Sequence, residues 1–217
     1  MSLLVSLPAN APDLARAAVE AGADALKVHL NVAHRASGTH FGSLAEERDR
    51  LAEIRQIAGN LPLGLVAGGQ LGVPAPEVVG AVALGFRTIS MYAHHLPAAW
   101  LGLEGAEFMA APDYTYTPEE IAALGRTPIA LLEASVIHPE GYGQPLTVRD
   151  LAMYSLIAER VSQPVVVPSQ RKILPEDVDA LHRAGVRGVM IGAVVTGRTP
   201  ESLYAATQAF RKAVNSR

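Results

Sequence analysis

The sequence predicts a closed α/β barrel of eight βα units, (β/α)8, on three observations: short apolar runs alternate with amphipathic stretches, the runs number eight, and the same punctuation recurs between them. Runs rich in Val, Ile and Leu alternate with Ala-, Glu- and Arg-rich stretches along the whole chain, the pattern of strands joined by crossover helices around a parallel sheet. The predicted strands are 3–7, 25–30, 63–66, 88–92, 107–110, 129–133, 165–167 and 188–191, with helices between them and a final helix near 201–214. The fourth crossover is the least marked, because 100–106 is short for a helix. At 217 residues the chain is too short for two ordinary α/β domains and long enough for one compact barrel, so 1–217 is taken as one domain. A doubly wound open sheet is the alternative that the same alternation serves.

Punctuation supports the count. Pro12, Pro76, Pro118, Pro175 and Pro200 each stand one or two residues before a helical pattern and mark its start, where a missing N–H costs nothing. Gly22, Gly85 and Gly185 each follow a helical stretch and precede a strand, the place where a helix-ending turn requires a left-handed residue.

Composition narrows the function classes. Hydrophobic residues make up 49% and charged residues 18%, enough for a packed core and against extended disorder. The net charge of −3, with no run of basic residues, gives no electrostatic footprint for nucleic acid. The absence of cysteine excludes disulfides and thiolate catalysis. No apolar segment reaches membrane-spanning length and the first residues lack a basic leader, so a cytoplasmic protein with no membrane partner is expected.

In this fold the chemistry collects on the loops that follow the strands. After the seventh strand the chain reads Pro168-Ser169-Gln170-Arg171-Lys172, and after the eighth Gly192-Ala193-Val194. Gly192 admits a ligand close to the backbone, the short segment after it can present N–H groups, and Arg171 or Lys172 can supply positive charge. Ser169, Gln170, Arg171, Gly192 and Ala193 are therefore the expected phosphate-binding set.

The segment PVVVPSQRKILPEDVDALHRAGVRGVMIGAVVTGRTPESL, 164–203, resembles the last two βα units of N-acetylmannosamine-6-phosphate 2-epimerases, and more loosely those of phosphate-binding TIM barrels in general. The opening LLVSLPANAPDLARAAVEAGADALKV is similar to the first unit of the same family, so about a third of the chain carries the likeness. The resemblance implies the barrel fold and a phosphate site around Arg171, Gly192 and Ala193. It departs at two places: the family's essential lysine at the end of strand three falls where this chain has Leu65-Val66-Ala67-Gly68, and its Glu-Gly-Arg turn after strand seven falls at Pro168-Ser169-Gln170-Arg171. The stretch Lys27-Val28-His29-Leu30-Asn31 is distantly similar to the Asp-x-Lys-x-x-Asp strand of orotidine-phosphate decarboxylase-like barrels, without its second aspartate.

Candidate catalytic groups come from the other side of the barrel. Arg supplies fifteen of the eighteen basic residues and Lys three, at 27, 172 and 212. Lys27 stands in a strand where period-2 alternation puts Lys27, His29 and Asn31 on one face and Leu26, Val28 and Leu30 on the other. A lysine there can have a pKa useful for proton transfer or Schiff-base chemistry. Glu133 closes the apolar sixth strand across the barrel, and is expected to be raised by desolvation and lowered by Lys27. Of seven histidines only His182 lies in a predicted helix. His29, His40, His94 and His138, with Asn31, are the expected contacts for substrate hydroxyls. The loop 31–43, with Gly38 and Gly42 as hinges, is a candidate lid.

The leading expectation is an enzyme with no cofactor and no metal, acting on a small phosphorylated sugar-like metabolite as an isomerase, epimerase or lyase. Two alternatives stand beside it: a catalytically silent barrel that senses a phosphorylated ligand, and a metal-dependent enzyme using His29, His94, His95 and Asp113. A homodimer through barrel helices is compatible with the sequence, but nothing in it marks a seam.

Overall fold

Eight parallel strands close the predicted barrel in the computed structural model, which describes residues 1–70 and 72–216. The barrel strands are β1 (Ser2–Ser6), β2 (Ala25–His29), β3 (Leu63–Val66), β4 (Thr88–Tyr92), β5 (Glu107–Ala111), β6 (Leu131–Glu133), β7 (Val165–Pro168) and β8 (Gly188–Ile191). Each pairs with its successor in sequence, and β8 pairs back onto β1, with Ser2 opposite Gly188 and Val5 opposite Ile191. The open sheet is thereby excluded. Strand bounds follow the sequence closely except at β6, which begins later because Ile129 N–H turns back to the carbonyl of Thr127 at 2.8 Å.

Helices α1 (Pro12–Glu20), α2 (Leu44–Ala58), α3 (Ala75–Ala83), α4 (Pro118–Leu124), α5 (Val148–Arg160), α6 (Val178–Arg183), α7 (Ala193–Thr196) and α8 (Pro200–Asn215) wrap the barrel. The crossover from β4 to β5 has no α-helix. Two 3₁₀ turns, Ala93–His95 and Ala98–Gly102, replace it, and the buried Trp100 covers the strands there. This accounts for the weak helical signal of 100–106. The prolines mark the helix starts from within the first turn, with Pro12, Pro118 and Pro200 opening their helices and Pro76 second in α3, while Pro175 opens a 3₁₀ turn before α6. Gly22, Gly85 and Gly185 have φ of +94°, +102° and +86°, values that a Cβ disfavours.

One strand face packs under the helices and the other fills the barrel. Leu3, Val5, Leu26, Val28, Leu65 and Ile89 are fully buried in the outer layer. Inside, Met109, Val166 and Met190 form a separate small cluster against Leu4 and Leu131. The loop after β2, expected as an irregular lid, contains a two-stranded antiparallel hairpin, Val32–His34 with Thr39–Phe41. The Thr39 hydroxyl donates to the carbonyl of Pro8 at 2.8 Å and ties the hairpin to the loop after β1. Among the described residues no helix is long and apolar enough to cross a membrane.

Candidate active site

Lys27 on β2 and Glu133 on β6 meet across the barrel lumen, with Lys27 Nζ donating to Glu133 Oε2 at 2.9 Å. Both side chains are less than a tenth exposed. Ser90 Oγ, from β4, donates to the same Oε2 at 2.8 Å, and Ser135 Oγ donates to Oε1 at 3.1 Å. Burial pushes the Glu133 carboxyl up. The Lys27 charge outweighs it, together with hydrogen bonds from Lys27, Ser90 and Ser135, and the net shift is below the ordinary carboxylate value. Glu133 is therefore an ionised carboxylate held by three donors.

His29 lies one step above Lys27 on the same strand. Its Nε2 is 3.5 Å from Ser6 Oγ, while its buried Nδ1 has no partner among the described residues. Burial above all, then the charges of His34 and Lys27, hold its pKa well below the ordinary histidine value. Asn10 clamps this corner, donating to the carbonyl of His29 at 2.7 Å and accepting from its N–H at 3.2 Å. The hairpin folds over the same point. His34 packs on His29 with ring centroids 4.5 Å apart and the rings tilted by 42°, and Phe41 packs on His29 at 4.6 Å. The His34 pKa is lowered to about 4 by burial and by Lys27, against a smaller opposing pull from Glu133.

Beneath the hairpin lie two small lobes that share Lys27, His34, Tyr92, Glu133 and Ser135. One, of about 120 Å³, reaches Ser169, Gly192, Ala193 and Val194 on the loops after β7 and β8. The other, of about 140 Å³, reaches Val66, Gly68, Gly69 and Ala111. The ion pair stands where the lobes join.

The expected phosphate set is divided. The Gly192 N–H donates to Ser169 Oγ at 2.9 Å, so these two residues close one end of the first lobe. The first hydrogen bonds of α7 are made by the N–H groups of Val195 and Thr196 to the carbonyl of Gly192, which leaves those of Ala193 and Val194 ahead of the turn. Gln170 lines the lobe, but its amide is engaged: it accepts from Ile137 N–H at 3.1 Å and donates to the Ser135 carbonyl at 3.1 Å and the Tyr142 hydroxyl at 2.6 Å. Arg171 turns away to Asp150, with contacts of 3.0 and 3.1 Å, and donates to the carbonyl of Gly141 at 3.0 Å. The cause is local. Thr147 and Asp150 cap the start of α5, and the capping carboxylate draws the guanidinium. Lys172 is exposed outside the lobe.

The expected substrate contacts are divided as well. His29 lines the second lobe. Asn31 does not share its face, because alternation ends at His29 and Asn31 adopts φ of +52°. Its amide instead donates to Glu77 at 2.7 Å and to the carbonyl of Ala67 at 3.2 Å, fastening the hairpin's base. His40 is exposed on the hairpin, and His94 and His138 are exposed on loops four and six. His94 stacks on Tyr92 and His138 packs against Tyr114, so both belong to the rim. Among the described residues no group of three or more His, Cys, Asp or Glu side chains is placed to hold a metal ion. His29 lies under the hairpin, apart from the His94, His95 and Asp113 cluster.

Several residues of the site escaped the sequence reading. Ser90 and Tyr92 alternate with Ile89 and Met91 on β4, a period-2 signal of the kind that singled out Lys27. Ser135, two residues beyond Glu133, repeats the spacing. His34 and Tyr142, which the sequence places among the polar residues of the loops after the strands, line the first lobe. Arg35 is exposed on the hairpin outside both lobes, with its guanidinium 5.9 Å from the centre of the Tyr142 ring.

No protein-family model matches the chain, and no curated protein matches it. Solved structures do. Thiamine phosphate pyrophosphorylase from Pyrococcus furiosus superposes with a TM-score of 0.73 at 19% identity, covering 99% of this chain and 96% of that one. The tryptophan synthase A-subunit of Pyrococcus furiosus gives 0.73 at 16% identity, covering 97% and 98%. N-acetylmannosamine-6-phosphate 2-epimerase from Clostridium perfringens gives 0.61 at 15% identity, covering 89% and 87%. At these identities what the chain shares with them is the fold, an eight-stranded parallel TIM barrel over nearly its whole length.

Proposed function

We propose that the protein is an enzyme acting on a small phosphorylated, sugar-like metabolite, by proton transfer as an isomerase or epimerase or by carbon–carbon cleavage as a lyase. The observation that carries this reading is the Lys27–Glu133 pair, buried at the junction of two lobes on the C-terminal side of the strands. A barrel core gains little from such a pair, since desolvating two charges offsets most of their attraction. Its position suits chemistry better than stability.

In the resting site Lys27 and the two serines keep Glu133 a weak base. A substrate carbonyl oxygen seated between the two groups takes over the Lys27 ammonium. Glu133 loses its strongest partner, its basicity rises, and it can remove a proton from the adjacent carbon while Lys27 stabilises charge developing on the oxygen. Phosphate fits the end of the first lobe, against the Ser169 hydroxyl, which the Gly192 N–H holds in place, and the N–H groups of Ala193 and Val194. Arg35, exposed on the hairpin over the Tyr142 ring that walls the lobe, is the cation we assign to the phosphate once the hairpin closes, since Arg171 is engaged with Asp150. Gln170 and Arg171 act by holding the loops after β6 and β7 together. The lobes are smaller than the roughly 300–1,000 Å³ of ordinary ligand pockets, so the hairpin must lift to admit substrate and close over it. Two of the structurally similar barrels carry phosphate compounds in their names, which accords with this reading.

The test is a thermal-shift screen against phosphorylated sugars and related metabolites, followed by turnover of the best ligand. A ligand at 100 times its Kd adds about 2.7 kcal/mol of stability. Lys27→Ala and Glu133→Gln are each expected to lower kcat at least a hundredfold. No stabilising phosphorylated ligand, or unchanged turnover in Lys27→Ala, overturns the proposal.

A further inference from the structure

The N-terminal end of the barrel is not filled. Barrels of this kind ordinarily stack layers of bulky side chains along their whole interior. Here the inward positions nearest the N-terminal end include Ser2, Ala25, Gly64, Thr88 and Gly188, with the exposed Glu107 at the level of Thr88 just outside the lining, and a cup of about 740 Å³ opens there. Its inner end is made by Leu4, Met109, Leu131 and Val166. Leu4 and Leu131 are only partly buried although they stand in the barrel's middle layer, because the cup reaches them. The volume lies within the range of small-molecule sites, and the lining is mainly apolar with a few polar groups at the mouth, as such sites require.

Of the three charged residues in the lining, Asp24, Lys27 and Arg187, the first two are paired within the protein. Arg187 is exposed on the edge of the mouth and makes no ion pair among the described residues. The acidic residue beside it, Asp24, is already neutralised by Arg211 through contacts of 3.0 and 2.9 Å, and accepts from Leu3 N–H at 2.7 Å. An apolar cup with an unpaired guanidinium at its edge matches an apolar body that ends in a single negative charge.

We propose that this cup is a second ligand site, separate from the loops at the other end of the barrel, for an amphipathic monocarboxylate such as a medium-chain fatty acid. The alkyl chain lies against Leu4, Met109, Leu131 and Val166, and the carboxylate meets Arg187. Lys27 also lines the cup, so the occupant touches the stem of the residue whose ammonium holds Glu133 on the far side.

The probe is octanoate, titrated calorimetrically into the full chain beside octanol and octylamine. Octanoate is expected to bind more tightly than either. Arg187→Gln should weaken octanoate about tenfold, the loss of one charge-assisted hydrogen bond, and leave octanol unchanged. Thr88→Phe, which fills the cup, should abolish binding of both. Methyl-labelled methionine in the wild-type protein gives a readout independent of any variant's folding, since the Met109 methyl resonance should shift on adding octanoate. An unmoved Met109 resonance, or equal affinity for octanoate and octylamine, overturns the proposal. Because these measurements read binding and not turnover, they stand or fall apart from the catalytic reading.

Discussion

Removing one member of the Lys27–Glu133 pair should destabilise the barrel more than removing both. The pair is buried, with Nζ 2.9 Å from Oε2, so each single substitution strands a charge. The cost of stranding is capped by the cost of neutralising the charge instead. For Lys27→Met the cap is that of protonating a carboxyl of ordinary pKa near 4.3 at pH 7, about 3.7 kcal/mol. Ser90 and Ser135 still donate to the stranded Glu133, which brings the expected loss down to about 2–3 kcal/mol. For Glu133→Leu the cap is that of deprotonating a lysine of ordinary pKa near 10.4, about 4.6 kcal/mol. No other acceptor of the Lys27 ammonium exists among the described residues, so the loss should lie near that cap. The double variant Lys27→Met/Glu133→Leu strands nothing and should recover to within about 1–2 kcal/mol of the wild type. Urea unfolding followed by circular dichroism reads all four proteins. The pH dependence of Lys27→Met gives a second check. Its Glu133 pKa is raised in the folded state, so the unfolded chain releases its proton first and stability falls as pH rises above about 4.3. A Lys27→Met protein within about 0.5 kcal/mol of the wild type, or a double variant no better than Glu133→Leu, would refute the buried-pair reasoning.

Three further outcomes are expected. The His34 pKa is lowered to about 4 in the folded protein, so the unfolded chain takes up this proton first as pH falls from about 6.5; stability should drop through that window by up to about 3 kcal/mol, and His34→Gln should flatten the drop. Asp150→Ala leaves Arg171 without its carboxylate and α5 without its cap, and should cost about 2–3 kcal/mol by chemical denaturation, with an unchanged midpoint counting against the pair. Gly85→Ala combines φ of +102° with a Cβ placed 2.6 Å from Arg55 Nε and should cost about 1–2 kcal/mol, whereas Gly102→Ala, at an open position, should be nearly neutral.

The sequence alone determined the barrel, because each βα unit is specified locally. Apolar runs of strand length, helix-starting prolines and turn glycines such as Gly22 and Gly85 act within a few residues of themselves. Lys27 and Glu133 were legible for the same reason, since period-2 alternation and strand order place them on facing inward positions before any coordinates are known. What sequence could not decide was where flexible or non-repeating segments would bind. Asn31 leaves the inward face because the hairpin needs a left-handed residue at its base and Glu77 holds the amide. Arg171 is drawn to Asp150, 21 positions away, by a capping carboxylate whose nearness depends on how α5 packs. Arg35 comes to lie over Tyr142 only through the hairpin. The tertiary structure also decided the net direction of the Glu133 pKa, since burial and three donors oppose one another and only their distances set the balance. The cup at the N-terminal end belongs to the same class: small residues from β1, β2, β3, β4 and β8, each unremarkable in its own strand, leave a cavity once the barrel closes and brings them to one level.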